Sequence, residues 1–87
     1  MVYGLEIPPD IEKNFNRLLK KDRALWGRIE KLLDEILQRP NEIGSPKKYR
    51  LKGYRGHHMG PFVLLWSVDE KDKKVRIVLF EHHDDAY

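Results

Sequence analysis

The stretch FVLLWSVDEKDKKVRIVLF, residues 62–80, decides the fold of this 87-residue chain. It begins with seven residues that are almost all apolar, continues through a charged segment, and ends in six residues that are apolar except for Arg76. Short apolar runs bounded by turn residues are typical of β-strands, and a run without alternation indicates burial on both faces. The stretch therefore predicts a central strand, 62–68, and a closing strand, 75–80, joined by a polar turn.

The position of that turn determines which residues of the two strands lie opposite each other. A turn centred on Lys71 and Asp72 gathers the apolar side chains on one face of the sheet, whereas a shift of one residue would move them all to the other face. This register predicts three opposed pairs: Val68 with Val75, Trp66 with Ile77, and Leu64 with Leu79.

Two amphipathic helices precede the strand pair and are joined by a very short link. Acidic residues 10 and 12 stand where the dipole of the first helix favours negative charge, and Asp22 can cap the second helix, which Arg39 and Pro40 terminate. Apolar residues recur at helical spacing in both: Ile11, Phe15, Leu18 and Leu19, then Leu25, Ile29, Leu32, Leu33, Ile36 and Leu37. The pattern predicts an antiparallel helix hairpin with one apolar stripe on each helix.

Two further strands complete the predicted sheet. Residues 2–7 alternate well enough for a short N-terminal strand, which a Pro-Pro pair closes. In KKYRLK, residues 47–52, Tyr49 and Leu51 alternate with basic residues, as in a strand with one apolar and one cationic face. We therefore expect one α+β domain spanning residues 1–87. An N-terminal strand, a helix hairpin and a three-stranded antiparallel meander would form a sheet of about four strands, with the helices on one face.

The composition excludes several classes of function. The chain has no cysteine, so it has no disulfide, no zinc–thiolate site and no thiol nucleophile. No apolar run approaches the ~20 residues that a membrane-spanning helix needs, and we expect a cytoplasmic protein. Seventeen Lys and Arg against fourteen Asp and Glu leave a net charge of +3, a modest surplus whose position matters more than its size.

The four histidines of the chain occur as two adjacent pairs, at residues 57–58 and 82–83. Extending the register of the strand pair brings both pairs to one end of it, with directly opposed Cβ atoms about 4.5–5.5 Å apart. The predicted oppositions are Gly60 with His83 and His58 with Asp85.

Neighbouring residues of a strand point to opposite faces, so each histidine pair divides between two faces. The register places His58 and His83 together on a continuation of the helix-covered face, and His57 with His82 on the other. The basic strand should bring Arg50 and Lys52 towards the same end of the sheet.

Such a cluster has three interpretations. His and Asp are common metal ligands, but the spacing matches no known metal motif, and we expect neither a metal nor another cofactor. Histidines beside cations also suit the cleavage of RNA through its own 2′-hydroxyl, which needs a base, an acid and positive charge near the phosphate. The third interpretation is structural, because polar residues at strand ends and alternating cations are ordinary features of a solvated sheet face.

Over nearly all of its length the chain resembles toxins of the RelE/ParE superfamily. The order and spacing of four motifs carry this resemblance: ILQRP at the end of the helix hairpin, then KKYRLKG, GPFVLLWSVD and the final FEHHDDAY. It implies a RelE-like fold and a type II toxin–antitoxin system in which a cognate antitoxin wraps and silences the toxin. RelE-type members cleave mRNA in the ribosomal A site, whereas ParE-type members inhibit DNA gyrase.

The chain departs from the common pattern of the superfamily in two places. Many members have Gly-x-Tyr-Arg where this chain has GPFV, residues 60–63, and His-Arg where it has His82 and His83. It is more similar to a branch whose central strand begins His-Ile-x-Pro, matched here by HMGP, residues 58–61. In that branch the equivalents of His58 and His83 are implicated in cleavage.

The prediction is therefore a ribosome-dependent mRNA endonuclease with His58 and His83 as a metal-independent acid/base pair. Asp84 or Asp85 would orient one of these histidines, and Tyr87 would stack on an unpaired base. Residues predicted to contact RNA are Lys48, Arg50, Lys52, Arg55 and His57. The alternatives are a ParE-like toxin that binds DNA gyrase without cleaving anything, and a catalytically inactive RelE-fold protein.

The sheet face away from the helices is predicted to bind the antitoxin. It would present apolar residues beside the basic strand: Val63, Leu65, Val78 and Phe80. An exposed surface that is both apolar and cationic suits an acidic amphipathic segment that folds as it binds. Antitoxin and RNA would then compete for the same basic residues.

Overall fold

The computed structural model describes residues 2–82, with the side chains of residues 2–81. Its elements in chain order are β1 (Gly4–Glu6), α1 (Pro9–Lys21), α2 (Arg23–Gln38), β2 (Ser45–Pro46), β3 (Arg55–Met59), β4 (Phe62–Asp69) and β5 (Lys74–His82). A single 3₁₀ turn, Tyr49–Leu51, lies between β2 and β3. Over this part of the chain, neither helix is long and apolar enough to cross a membrane.

The strands form one mixed sheet in the order β1-β5-β4-β3-β2. The strands from β2 to β5 are antiparallel to their neighbours, and β1 runs parallel to β5, with Leu5 beside Val75. The predicted α+β class and the RelE-like order of elements are confirmed. The sheet has five strands rather than about four because two strands, β2 and β3, flank the segment 47–52 that was predicted as a single strand.

The helix hairpin forms where the sequence predicts it. Pro9 at the first position of α1 lacks only an N–H that would have no partner inside the helix. One residue, Asp22, separates the two helices. Its side chain accepts a hydrogen bond from the Leu25 N–H at 3.1 Å, and its own N–H donates to the Leu18 carbonyl at 2.8 Å. Asp22 therefore caps both helices, which explains the tightness of the link.

The apolar stripes of both helices pack on one face of β4 and β5. Trp66 lies at the centre of this core, fully buried, and its indole N–H donates to the Pro40 carbonyl at 3.3 Å. The Phe15 ring meets Trp26 at 5.3 Å and the edge of Phe80 at 5.0 Å between centroids. The buried cluster comprises Ile11, Phe15, Ile29, Leu32, Leu33, Ile36, Leu64, Trp66, Val75, Ile77 and Phe80.

A β-bulge corrects the predicted register of β4 and β5. The pairs Val68–Val75 and Trp66–Ile77 are confirmed, but Leu79 lies opposite Leu65, so the predicted Leu64–Leu79 pair is wrong. The pairing shifts between Leu65 and Trp66, and Val78 is the extra residue on β5. Beyond the bulge Phe80 lies opposite Leu64, so its ring joins the helix-covered core instead of the other face.

The predicted basic strand is also wrong. Residues 47–54 form the closed loop of a β2–β3 hairpin, in which the Lys47 N–H donates to the Tyr54 carbonyl at 2.9 Å. Inside it, Tyr49 adopts a left-handed backbone with φ 59°. Alternation placed Tyr49 on the apolar face of the predicted strand, yet 92% of its surface is exposed. Turn hydrogen bonds within the loop take the place of the interstrand hydrogen bonds that a strand would form.

Candidate functional site

Both histidine-bearing strands reach the same end of β4. His58 of β3 lies opposite Val63, while Glu81 of β5 lies opposite Val63 on its other side. The next pairs are Met59–Phe62 and Phe62–His82, so β3 and β5 flank β4 there. Two interstrand spacings, roughly 10 Å, separate the backbones of β3 and β5. We call this the turn-60 end, because the β3–β4 turn at residues 60–61 closes it.

The predicted oppositions Gly60–His83 and His58–Asp85 required residues 58–61 to extend β4. Instead, Gly60 adopts φ 56° in a tight turn, and His58 belongs to β3, which runs back along β4. Residues 83, 84, 85 and 87, for which sequence predicted His83, Asp84, Asp85 and Tyr87 as site residues, lie outside the described part of the chain.

The faces assigned to the histidines of β3 are reversed. His57 lies opposite Leu64, a core residue, and is half-buried on the helix-covered face. His58 lies opposite Val63 and is exposed on the face away from the helices. The prediction that His58 continues the helix-covered face is wrong, because the turn at residues 60–61 reverses the chain and changes which residues oppose β4.

The cationic loop, residues 47–54, lies at the other end of β3. Lys48, Arg50 and Lys52 are exposed in it. Because Arg55 begins β3 and Met59 ends it, the loop starts about 13 Å from the turn-60 end along the strand. The prediction that the basic segment converges with the histidines is wrong. One ligand could meet both only by extending along β3.

Arg55, predicted to contact RNA, has its guanidinium bonded within the fold. Its Nε–H donates to the Ile43 carbonyl at 3.0 Å, and Nη2 donates to the Gly44 carbonyl at 3.1 Å. Gly44 has φ 70°, and a Cβ there would collide with the Gly56 carbonyl and with Trp66. Arg55 thus ties the segment before β2 against the sheet, and a phosphate would have to compete with these bonds.

A cleft that sequence reasoning missed opens beside the turn-60 end, between α1 and the sheet. Its volume of about 490 Å³ is sufficient for a nucleotide-sized group. The lining residues are Asn14, Arg17, Leu18, Lys21, Phe62, Phe80 and Glu81. At its floor, the rings of Phe62 and Phe80 stack with centroids 5.1 Å apart and planes 6° apart.

The two cations of this cleft, Arg17 and Lys21, are four residues apart and therefore lie on one face of α1. Both are exposed, and neither forms an ion pair with any other side chain between residues 2 and 81. The signal in the sequence was this spacing of two cations on either side of Leu18. Glu81 is the acidic residue of the lining.

The predicted antitoxin surface is already covered within the chain. Val63 and Leu65 do lie on the face away from the helices, but they are only 1% and 6% exposed. The Lys47 side chain and Leu65 lie so close over Gly56 that a Cβ there would collide with both. Phe80 is in the core on the opposite face. The expectation of bare apolar anchors at these positions is therefore wrong.

At the other end of the β4–β5 hairpin, the carboxylate of Glu70 connects three segments. It accepts hydrogen bonds from the Tyr3 hydroxyl at 2.8 Å, from Asn41 Nδ2 at 2.6 Å and from Lys73 Nζ at 3.0 Å. These bonds, that from Asn41 most strongly, lower the pKa of Glu70 to about 2. On the adjacent strands Glu6 pairs with Arg76, which is the main reason why the pKa of Glu6 is lowered.

Metal binding has no candidate cluster in the described part of the chain. Among residues 2–81, no three His, Asp or Glu side chains lie close enough together to share an ion. At the turn-60 end, His57 shares the helix-covered face with the cleft, whereas His58 lies on the opposite face. This end of the sheet therefore carries two histidines and two cations, divided between its two faces.

The strand order and the helix hairpin on one face define a RelE-like fold. The YoeB/ParE toxin from Agrobacterium tumefaciens superimposes with a TM-score of 0.79 at 13% identity, covering 92% of this chain and 98% of that chain. A chain of the archaeal RelE–RelB complex from Pyrococcus horikoshii gives 0.71 at 19% identity, covering 95% and 97%.

The chain belongs to the family of ParE toxins of type II toxin–antitoxin systems (parDE), whose model matches residues 5–87. It is also 34% identical over 87 residues to a protein of Methanocaldococcus jannaschii that is named as the candidate toxin RelE4. That match covers 99% of this chain and 92% of the relative. The predicted membership of the RelE/ParE superfamily is thereby confirmed.

Proposed function

We propose that this toxin is an endoribonuclease that cleaves mRNA on the ribosome and so inhibits translation. The observation that carries the proposal is the placement of exposed His58 at the same end of the sheet as a cleft with two cations, Arg17 and Lys21. An RNA strand that passes around this end of the sheet would meet the imidazole of His58 on one face and the positive charge of the cleft on the other.

Cleavage through the 2′-hydroxyl needs two proton transfers. A base takes the proton of the 2′-hydroxyl, whose oxygen attacks phosphorus, and an acid protonates the departing 5′-oxygen. The products are a 2′,3′-cyclic phosphate and a free 5′-hydroxyl, so no water is consumed in this step. His58 serves as one partner of this pair, and His83 is the second partner that the family resemblance predicts. Asp84 or Asp85 would orient one of them.

Positive charge near the phosphate stabilises the charge that builds up in the transition state. This chain lacks the arginine of the Gly-x-Tyr-Arg pattern, and Arg17 and Lys21, in the cleft on the helix-covered face, would hold phosphates of the same RNA near this end of the sheet. His57 and Tyr87 remain predicted RNA contacts close to the histidines in sequence. Lys48, Arg50 and Lys52 would bind phosphates further along the same strand of RNA.

The alternative function is inhibition of DNA gyrase without cleavage, which the ParE description of the family favours. Expression of the protein in cells separates the two functions. We expect new 5′ ends in translated messages and unchanged plasmid supercoiling. Intact messages together with disturbed supercoiling would establish the gyrase inhibitor instead. A chelator selective for transition metals should leave cleavage unchanged.

A cognate antitoxin is the proposed partner, as in the RelE–RelB complex to which the fold is similar. Because Val63 and Leu65 are already covered, we place its acidic contacts on the exposed cations of the loop and the cleft. Ribosome-bound mRNA as substrate places the protein in the cytoplasm.

A further inference from the structure

Tyr49 stands out as a large side chain that the fold does not use. Tyr49 is 92% exposed, far more than Leu51, the other exposed large apolar residue of the cationic loop, at 36%. Its side chain makes no hydrogen bond or ring contact with any residue between 2 and 81. Burial therefore does not account for an aromatic residue at this position.

The backbone at Tyr49 makes an aromatic residue still less expected. Its φ of 59° lies in the left-handed region, which Gly and Asn tolerate and bulky residues seldom adopt. Two backbone hydrogen bonds of the loop hold this conformation. The Leu51 N–H donates to the Lys48 carbonyl at 3.2 Å, and the Lys52 N–H donates to the Tyr49 carbonyl at 3.1 Å. Asn at this position would suit the loop at least as well as Tyr does.

The surroundings of the ring are strongly cationic. Lys48, Arg50 and Lys52 are exposed, and none forms an ion pair with another side chain of residues 2–81. No acidic residue occurs in the sequence between Glu42 and Asp69. The loop therefore presents one exposed ring amid positive charge that the rest of the described fold does not neutralise.

We propose that Tyr49 stacks on an unpaired RNA base while Lys48, Arg50 and Lys52 bind the flanking phosphates. A single exposed ring among cations is the usual arrangement for single-stranded RNA. A protein partner would instead need a contiguous apolar patch, which Leu51 alone does not supply. The inference rests on the proposed action on RNA. It adds a second contact about 13 Å or more from His58, so the stacked base is not the one at the scissile bond.

The base could belong to the message or to ribosomal RNA, and two probes distinguish these sources. One is a 12-nucleotide single-stranded RNA with 2′-O-methyl groups, which cannot be cleaved through its 2′-oxygen. The other is ribosomes that carry no mRNA. Affinity for each is measured with the full chain and with two variants, Tyr49→Asn and Tyr49→Phe.

We expect Tyr49→Asn to weaken binding to at least one probe by about 5- to 150-fold, the range for losing one stacked base. Its thermal stability should be unchanged or higher, because Asn tolerates the left-handed backbone. Tyr49→Phe keeps the ring and should bind within about twofold of the unmodified chain. The salt dependence should be unaltered in Tyr49→Asn but flatter after charge reversal at Lys48, Arg50 and Lys52, because only the latter removes phosphate contacts.

If Tyr49→Asn binds the oligonucleotide more weakly than the unmodified chain does, the stacked base belongs to the message. If only its affinity for ribosomes without mRNA is weakened, the base belongs to ribosomal RNA. Equal binding of Tyr49→Asn and the unmodified chain to both probes would overturn the stacking role while leaving the nuclease proposal intact. Weakened antitoxin binding with unchanged RNA binding would also overturn it, in favour of a protein-docking loop. If the unmodified chain binds neither probe, both proposals fail together.

Discussion

The two ends of the β4–β5 hairpin differ in whether their charged side chains are paired within the fold. At the β4–β5 turn, charges are paired: Glu70 accepts three hydrogen bonds, and Glu6 on β1 pairs with both Lys74 and Arg76. At the turn-60 end, Arg17 and Lys21 have no ion-pair partner among side chains 2–81. At the β4–β5 turn, the charged side chains form pairs that stabilise the fold. At the turn-60 end, the cations are available to a ligand.

Loss of His58 should have the largest effect at the turn-60 end. We expect His58→Gln to reduce mRNA cleavage by about 10²- to 10⁴-fold, the usual contribution of a positioned proton-transfer group. Because the side chain is exposed, the free energy of unfolding should change by less than about 0.5 kcal/mol. Cleavage rates on translating ribosomes, together with denaturation in urea, check both statements.

The control for His58→Gln is a variant at the β4–β5 turn, where the charges are paired. Glu70→Gln, remote from the turn-60 end, should cleave at the unmodified rate. Full cleavage by His58→Gln, or an equal loss in both variants, would remove the functional distinction between the two ends.

Removal of the cleft cations should have an intermediate effect, seen mainly in its salt dependence. In the double variant Arg17→Gln, Lys21→Gln, two phosphate contacts are lost. The slope of log affinity for RNA against log salt should therefore fall in magnitude by about 1.4, or about 0.7 for each contact.

The matched control is Arg28→Gln, Lys31→Gln, which removes the same charge from exposed positions of α2. In this control, the slope of log affinity against log salt should change little. An equal loss in both double variants would show that RNA responds to net charge alone and that the cleft has no special role.

The smallest effect is expected at the β4–β5 turn, on the stability of the folded chain. The folded pKa of Glu70, about 2, lies below its ordinary value of 4.5. A lowered pKa contributes stability that is present above pH 4.5 and is lost as the pH falls towards 2. Glu70→Gln should therefore lower the urea midpoint at pH 7, and its difference from the unmodified chain should shrink between pH 4.5 and 2.

Glu30→Gln is the control for this prediction, because Glu30 is exposed on α2 and forms no ion pair among residues 2–81. Its urea midpoint should follow that of the unmodified chain throughout. A Glu70→Gln difference that stays constant from pH 7 to pH 2 would mean that the ionised carboxylate does not connect the three segments.

The sequence predicted the parts of the fold that depend on repeated local patterns. Apolar spacing located both helices, and the length of the apolar runs located β4 and β5. The bulge at Val78 has no such signal, because one extra residue in a run of Val, Leu and Phe leaves the composition unchanged. Its effect is nevertheless large, since it moves Phe80 from one face of the sheet to the other.

The site was predicted less completely because it depends on turns. Alternation in KKYRLK is compatible with a strand, and no local rule indicated that Tyr49 would adopt a left-handed backbone. The face of His58 was misassigned because residues 58–61 were taken to continue β4, although Gly60 and Pro61 are residues typical of a turn. The cleft beside α1 arises only when the helix packs on the sheet.

The central claim is cleavage by proton transfer at the 2′-hydroxyl of a ribosome-bound message. The most direct test is a message with a single 2′-deoxynucleotide on the 5′ side of a mapped cleavage site, compared with the all-ribose message on the same ribosomes. We predict that the all-ribose message gives a 2′,3′-cyclic phosphate and a 5′-hydroxyl, and that the deoxy-substituted message is not cut at that site. Cleavage of both messages at equal rates would contradict the account.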